Sequence, residues 1–456
     1  MTARPTDADP LAALVRGALA ELDATGAALC VAFSGGRDSS VLLDVLARLA
    51  PASRVRALHV HHGLHLDADR WAAHCEAWCA ARGVACEVRR VEVTPRDGES
   101  TEMAARRARH AAFAAALGPD ECLLTAHHAD DQLETLLMRL CRGSGTDGLA
   151  GMRASRRLGA GRLLRPLLAV PGAMLDAYAR KFDLDWLEDP ANVDPVHDRS
   201  WLRTEVLPRL LQRWPHAPAA AARSARWLAE GSTLLAALAG IDAGAPLADG
   251  ALSRTRLAAL PPERARNVLR HALFARGLPV PSAARLGEML RQCTTAAPDA
   301  MPAFDWPGAA LRADTSHVYL MPPLPAVPAG GPWPLHASTP HVDVLGELTL
   351  QRVTDGPALA DAWVRRGLAL RYAEGGERLR AEGERHTRAL SRHAAALGIP
   401  PWLRVRVPLL WAGDRLVAIC AGAGRVVYAA GCTAPQGWRP TWTPSAALRF
   451  AGLPDP

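Results

Sequence analysis

The stretch Ala28–Ser40, ALCVAFSGGRDSS, constrains the fold of this chain more than any other. An apolar, β-favouring run from Ala28 to Phe33 stops at Ser34-Gly35-Gly36. A helix-period pattern (Val41, Leu42, Val45, Leu46, Leu49) begins directly after it. The order is therefore strand, glycine turn, helix. Two glycines let backbone N–H groups approach a bound anion, and the helix N-terminus adds the positive end of its dipole. Ser34, Ser39 and Ser40 add hydroxyl donors. Asp38 is the odd member, because a carboxylate beside a phosphate repels it unless a cation lies between them. It either caps the helix or holds Mg2+ against a nucleotide phosphate. Neither GxxxxGK[ST] nor GxGxxG is present here. Ser34, Gly35, Gly36, Arg37, Asp38 and Ser39 are thus the cofactor-binding candidates, and Asp38 is also the candidate metal ligand.

Downstream, further buried strands read at Val55–His61, Val84–Val93 and Cys122–Thr125, separated by helical patterns over Arg70–Arg82, Ser100–Leu117 and Ala129–Cys141. Such alternation predicts an α/β fold, a parallel sheet with helices on both faces and ligands at the carboxyl ends of its strands. The loops Ser34–Ser39, His61–Leu64 and Ala126–Asp131 would all lie at that edge. With 456 residues the chain needs two or three domains. The expected division is 1–215 for the catalytic domain and 216–321 for a mainly helical central domain. A Pro/Gly-rich linker, 322–335, would then lead to an α+β C-terminal domain, 336–450. Helices are expected at Pro261–Arg276, Ser282–Cys293 and Thr387–Leu397, with strands at Leu311–Leu320, Leu348–Val353 and Arg415–Cys420.

The net charge of +7 favours a polyanionic partner, although Lys181 is the only lysine in an Ala- and Arg-heavy chain. Nine cysteines form no regular framework, which points to reduced thiols and a cytoplasmic location. Cys75 and Cys79, beside His74, read as core packing rather than half of a metal site. No apolar run is long enough to span a bilayer.

A second constellation is His127-His128-Ala129-Asp130-Asp131-Gln132-Leu133-Glu134-Thr135. On a helix beginning near Asp130, Asp130 and Glu134 share a face and Asp131 neighbours Glu134. Two histidines followed by acids can bind a metal as in a phosphohydrolase. Alternatively, the acids hold Mg2+ or a cationic amine while His127 or His128 contacts phosphate, or the group is simply an acid-rich helix start. Arg139, Arg142 and the glycines after them form a basic segment able to bind an anion or close as a lid.

The loop S-G-G-x-D-S resembles the pyrophosphate-binding loop of the N-type ATP pyrophosphatases. Together with LLTAHHADDQLETLLMRLCRGSGTDGLAGM (Leu123–Met152), it resembles the tRNA(Ile)-lysidine synthetase family of that superfamily. HVHHGL (His59–Leu64), the helix bearing Glu102, Arg106 and Arg109, and LLRPLL (Leu163–Leu168) match as well. So do WLEDPANVD (Trp186–Asp194), DRSWLRTEVLP (Asp198–Pro208), GERLR (Gly376–Arg380) and GIPPWLRVRVPLLWAGDRLVAI (Gly398–Ile419). The chain departs from the pattern at His110, where tyrosine is usual, and at Ser200, where asparagine is common. Arg388, Arg392 and His393 stand where the family often has lysines.

The resemblance implies a ligase that uses ATP and Mg2+. The wobble cytidine of a tRNA(Ile) with a CAU anticodon attacks the α-phosphate, and free L-lysine then displaces AMP from carbon 2. Ser34–Ser39 would cradle pyrophosphate, with His59 and His127 also at the nucleotide. Asp38, Asp131, Glu134 and Arg109 are the catalytic candidates. Asp130, Glu134, Arg106, Arg142 and Arg203 are the substrate-binding ones. Trp402 is either a base-stacking platform or a core tryptophan, and a homodimer remains open. The rivals are a tRNA thiolation enzyme, for which no CxxC is present, a metal phosphohydrolase built on His127, His128, Asp130 and Asp131, and a tRNA-binding protein with a dead nucleotide site.

Overall fold

The computed structural model describes residues 9–188, 198–248, 251–297, 300–336, 339–422 and 424–453, so the later part of the WLEDPANVD motif lies outside the described residues. The chain forms two compact units, residues 1–233 and 234–456.

In the first unit α1 (Pro10–Thr25) leads into β1 (Ala28–Ala32), the glycine turn and α2 (Arg37–Leu49). There follow β2 (Val55–His61), α3 (Ala68–Ala80), β3 (Ala85–Arg90), α4 (Thr101–Ala116), β4 (Glu121–Leu124) and α5 (Ala129–Cys141). Short α6 (Thr146–Leu149) precedes a hairpin, β5 (Ser155–Leu158) and β6 (Gly161–Leu164), which the sequence pattern does not announce. α7 (Gly172–Lys181) and α8 (Asp198–Trp201) come next. A π-helical turn at Leu202–Val206 joins α8 to α9 (Leu207–Arg213), and α10 (Ala217–Ala243) begins beyond it. The strand order is β3-β2-β1-β4-β6-β5, parallel except for β5, which pairs antiparallel with β6 at the edge.

Alternation along the strands explains why both faces are covered. Leu29 and Val31 of β1 pack with Leu42, Val45 and Leu175 under α1, α2 and α7. Cys30 points to the other core, where Leu58, Leu123 and Leu163 meet Phe113 and Leu117 of α4. β1 lies between β2 and β4, so the connections leaving it diverge there and open a crevice at the strands' carboxyl ends. Ser100 starts α4 as predicted, its hydroxyl accepting from Met103 N at 3.3 Å. Cys75 and Cys79 are fully buried in the first core. Burial pushes the Cys75 thiol up to about 12, which suits an inert core thiol.

The second unit contains β7 (Leu252–Ser253), α11 (Arg254–Ala259), α12 (Pro262–Ala275), α13 (Ala283–Thr295), β8 (Ala303–Trp306), β9 (Ala309–Ala313) and β10 (His317–Met321). Its first sheet is antiparallel, ordered β7-β10-β9-β8. The single strand expected at Leu311–Leu320 is two strands. Asp314 Oδ1 accepts from the backbone N–H of Ser316 (2.8 Å) and His317 (2.7 Å), which bends the chain into a hairpin. Toward the C-terminus two five-stranded sheets share one core. One contains Leu368–Arg371, Leu409–Ala412 and Arg415–Cys420; the other is built on the long pair Gly346–Val353 and Gly437–Pro444. Trp333–Leu335 pairs with Leu368–Leu370.

Trp402 is a core residue: its ring meets Tyr319 edge-on at 5.2 Å, and its indole N–H donates to Ala451 O at 2.9 Å. His393 is also buried, its Nε2 2.9 Å from Leu379 O, so it does not present a phosphate contact, whereas Arg392 is exposed. Among the described residues no helix is long and apolar enough to cross a membrane.

Candidate active site

The glycine turn folds as its residues require. Gly35 has φ +80°, and a Cβ there would lie 2.9 Å from Leu187 Cδ1 and 3.0 Å from Cys75 Sγ. Only glycine fits, because the left-handed backbone and the close neighbours both forbid a side chain. Leu187 N donates to Gly35 O at 2.8 Å and so ties the turn to the segment after α7. Ser39 Oγ donates to Gly36 O (2.9 Å) and lies 3.1 Å from Ser34 Oγ, which keeps the loop closed on itself. Gly36 is the N-cap of α2 and supplies no side chain, so Asp38 sits in the first turn and does not cap the helix. The amide end of a 13-residue helix is thereby left for an anion.

Asp38 faces two cations. Arg37 Nε donates to its Oδ1 at 2.9 Å, and His128 Nε2 lies 3.4 Å from its Oδ2. Burial alone would raise the carboxyl's pKa; the hydrogen bond and charge of His128, with Arg37, more than offset this and hold it low. His128 is the N-cap of α5. Its backbone N–H donates to Asp131 Oδ2 (3.0 Å), and its Nδ1 lies 3.3 Å from Asp130 N. The same imidazole is surrounded by Asp38, Asp130 (Nδ1–Oδ2, 3.0 Å) and Asp131 (Nε2–Oδ2, 3.6 Å). Burial works against its charge, but these three carboxylates push it up to about 10, so His128 is an imidazolium at neutral pH.

Asp130 is committed structurally as well: Gly172 N, at the start of α7, donates to its Oδ2 at 2.6 Å. A Cβ on Gly172 would stand 2.3 Å from that oxygen.

Asp131 and Glu134 meet two arginines. Arg199 of α8 donates from Nη2 to Asp131 Oδ1 (2.7 Å) and from Nε to Glu134 Oε2 (2.6 Å). Arg203, in the π-helical turn, donates from Nε to Glu134 Oε1 at 2.8 Å and from Nη2 to Glu134 Oε2 at 3.1 Å. Glu134 is buried, with 2% of its side chain exposed, and both of its oxygens carry a guanidinium. Sequence reasoning finds Arg203 but passes over Arg199, although its offset of four from Arg203 places both on one helical face.

His127 behaves oppositely to its neighbour. Its Nδ1 lies 2.9 Å from Thr125 Oγ1, and burial drives its pKa down to about 4 against the pull of Asp131, with Arg165, Arg199 and Arg106 adding to the fall. His59 is buried under the loop, its Nδ1 2.9 Å from Phe33 O and 3.4 Å from Cys75 Sγ, so that nitrogen supports β1. Arg106 and Arg109 lie exposed on α4, and Arg142 lies at the surface, paired with Asp198 at 3.1 Å. The glycine-rich segment after α5 is anchored. Gln132 exchanges hydrogen bonds with Met152 N (2.8 Å) and Met152 O (3.1 Å), and Arg139 donates to Gly151 O at 2.9 Å. Among the described residues no three His, Cys, Asp or Glu side chains group as a self-sufficient metal site.

A parallel sheet whose first strand opens into this serine-glycine turn, with the acid-bearing helix one strand away, defines a PP-loop nucleotide-binding domain. Residues 11–210 match the family model for the PP-loop domain. Residues 252–319 match the TilS substrate binding domain, and residues 368–442 the TilS substrate C-terminal domain. The tRNA(Ile)-lysidine synthase of Alkalilimnicola ehrlichii is 46% identical over 402 residues, covering 86% of this chain and 88% of that protein. Those of Pseudomonas aeruginosa (42%, covering 91% and 93%) and Xanthomonas campestris pv. campestris (41%, covering 86% and 90%) are similar throughout as well. The chain belongs to the tRNA(Ile)-lysidine synthase family, ligases that form a carbon–nitrogen bond.

Proposed function

We propose that this chain joins L-lysine to carbon 2 of the wobble cytidine of a CAU-anticodon tRNA(Ile), through an adenylated base, releasing pyrophosphate and AMP. The observation that carries this reading is the pairing of an uncapped α2 N-terminus, at the end of β1, with the acid cluster of α5, at the end of β4. In the first step the backbone N–H groups of the turn and α2 hold the β- and γ-phosphates, and Ser34 and Ser39 exchange their mutual contact for phosphate oxygens.

The residues fit Mg2+. Asp38 offers a hard carboxylate oxygen in the first turn of α2, beside the anion-binding turn, and with phosphate and water it satisfies an ion that seldom takes an all-protein cage. Asp38 would hold it, and when bound the ion neutralises charge on the departing pyrophosphate. Arg109 offers positive charge to the nucleotide phosphates, and Arg106 to the RNA.

For the second step the lysine amine must lose a proton, because its pKa in water is about 10.4. Asp131 and Glu134 are the acceptors, and their present partners define how lysine enters: its ammonium replaces one guanidinium of the Arg199–Arg203 pair. Residues 216–321 and 336–450, joined through 322–335, then carry the tRNA body. The test is incubation with ATP, Mg2+, radiolabelled lysine and CAU-anticodon tRNA(Ile). Labelled tRNA is expected, and omission of lysine is expected to trap an adenylated tRNA. No incorporation beside a working control overturns the proposal.

A further inference from the structure

The sheet face beneath α4 changes character along its length. Arg106, His110 and Phe113 form one stripe of α4, at offsets of four and seven from Arg106, and Leu117 follows at its C-cap. Phe113 and Leu117 lie over Leu158 and Leu163 in an apolar core. Arg156 pairs across the hairpin with Leu163, and Arg165 N continues the register by donating to Ala154 O at 2.8 Å. Cross-strand partners share a face and so do residues two apart, so Arg156 and Arg165 stand on the face that α4 covers. They lie toward the carboxyl end of β6, which runs parallel to β4, the strand that leads into His127.

Arg106, Arg156 and Arg165 gather at the cationic end of this face, and Glu102 stands one turn before Arg106 on α4. Among the described residues none of Arg106, Arg156 and Arg165 forms an ion pair. His110 Nδ1 lies 3.3 Å from Arg156 Nη2. Arg165 is only 8% exposed; its Nη1 donates to Arg153 O at 2.7 Å, yet its buried Nε has no hydrogen-bond partner. Burying a guanidinium among like charges, with a donor unmet, is costly unless an anion joins it. The charges are felt locally. Burial, Arg156 and Arg106 lower Arg165 to about 10, and burial with Arg156, Arg106, Arg109 and Arg165 lowers His110 to about 4.

We propose that Arg106, Arg156 and Arg165, with His110 beside Arg156, form a subsite for one phosphate group, and that its occupant is a phosphodiester of the RNA strand carrying the modified nucleoside. The inference rests on the reading that this edge of the sheet modifies RNA. The subsite positions the strand next to His127 without touching the atoms that react. A phosphate of the nucleotide has the same chemistry, and the experiment separates the two sources.

The full-length protein is compared with R106Q/R156Q, which alters exposed side chains, and with R165K, which keeps the charge of the buried one. Affinity for CAU-anticodon tRNA(Ile) is measured across a salt series, and affinity for ATP by equilibrium dialysis without RNA. A roughly tenfold loss of tRNA affinity is expected for R106Q/R156Q. The slope of log affinity against log salt should become shallower by about 0.7 per lost phosphate contact, with ATP binding unchanged. R165K should bind tRNA between the two. Loss confined to ATP binding overturns the RNA assignment and gives the subsite to the nucleotide. Unchanged affinities and slope overturn the subsite altogether. Lysine incorporation by the unmodified protein is run alongside. If that control fails, the lysidine reading falls; if it succeeds while the variants bind normally, only the subsite does.

Discussion

The two adjacent histidines at the start of α5 stand in opposite surroundings. His128 sits among Asp38, Asp130 and Asp131 and carries a proton to about pH 10; burial, against the pull of Asp131 and helped by Arg165, Arg199 and Arg106, makes His127 lose its proton near pH 4. One peptide bond therefore separates a histidine held charged by carboxylates from one held neutral by burial beside a cationic face. The division follows the chemistry proposed here. A metal ion and a lysine ammonium need carboxylates, whereas phosphates and RNA need guanidinium groups. Arg199 and Arg203 close the border, since their charges are taken up by Asp131 and Glu134 rather than by the open face.

The sharpest break of this contrast is Asp38→Asn, which keeps the shape of the anionic pocket and removes its link to the phosphate loop. Single-turnover lysidine formation is expected to fall by about 10²–10³-fold, the size typical of one lost electrostatic stabiliser. tRNA affinity should hold, and a rate within threefold of the unmodified protein removes Asp38 from the mechanism.

Glu134→Gln tests the border. It removes the charge that Arg199 and Arg203 share and turns one accepting oxygen into a donor amide facing a guanidinium, at a cost of about 2 kcal/mol. That is below the range for a fully buried pair, because the two arginine side chains are 30% and 42% exposed. Denaturant unfolding measures the stability, and the KM for lysine should rise if the ammonium binds there. A stable variant with an unchanged lysine KM would move the amine site elsewhere.

Much of this border is legible in the amino-acid sequence. The apolar run, the glycine turn and the helix period place the phosphate loop, and the i, i+4 spacing places Asp130, Asp131 and Glu134 on one helix start. What escapes is tertiary. Asp130 reads like its neighbour in sequence, but the backbone of Gly172, far along the chain, claims it as a cap. Arg199 has one sequence signal, its offset of four from Arg203, but its partners lie on another helix. The hairpin at Ser155–Leu164, with the arginines it aligns, sits in short strands of weak alternation. Asp314 breaks a strand through a local side-chain turn that period counting cannot see. Trp402 reads equally as a base-stacking platform or a core tryptophan, and only the fold shows its indole N–H donating to Ala451 O; in the same way one ring nitrogen of His59 faces Phe33 O.

The histidine pair also predicts two pH slopes of opposite sign. His128 has a folded pKa raised from 6.5 to about 10, so its stabilising contribution is full below about pH 6.5 and is lost as pH rises toward 10. His127 has a folded pKa lowered from 6.5 to about 4, so it costs stability as pH falls through that window. His128→Gln should therefore flatten the alkaline limb of a melting-temperature profile, and His127→Gln the acidic limb. Each change should leave the other limb alone; identical effects from both would erase the contrast.

The smallest effect belongs to His110→Tyr, which restores the aromatic hydroxyl usual in the family at the edge of the cationic face. A phenol oxygen can accept from Arg156 Nη2 as the imidazole nitrogen does now, so stability near neutral pH should change by no more than about 0.5 kcal/mol. Below pH 6 the variant should be the more stable one. It no longer has a histidine held near pH 4 by burial and by Arg156, Arg106, Arg109 and Arg165 that must take up a proton on unfolding. A variant that gains nothing in acid would mean that these arginines leave His110 free to titrate normally, and the cationic face would then be more open to water than its burial implies.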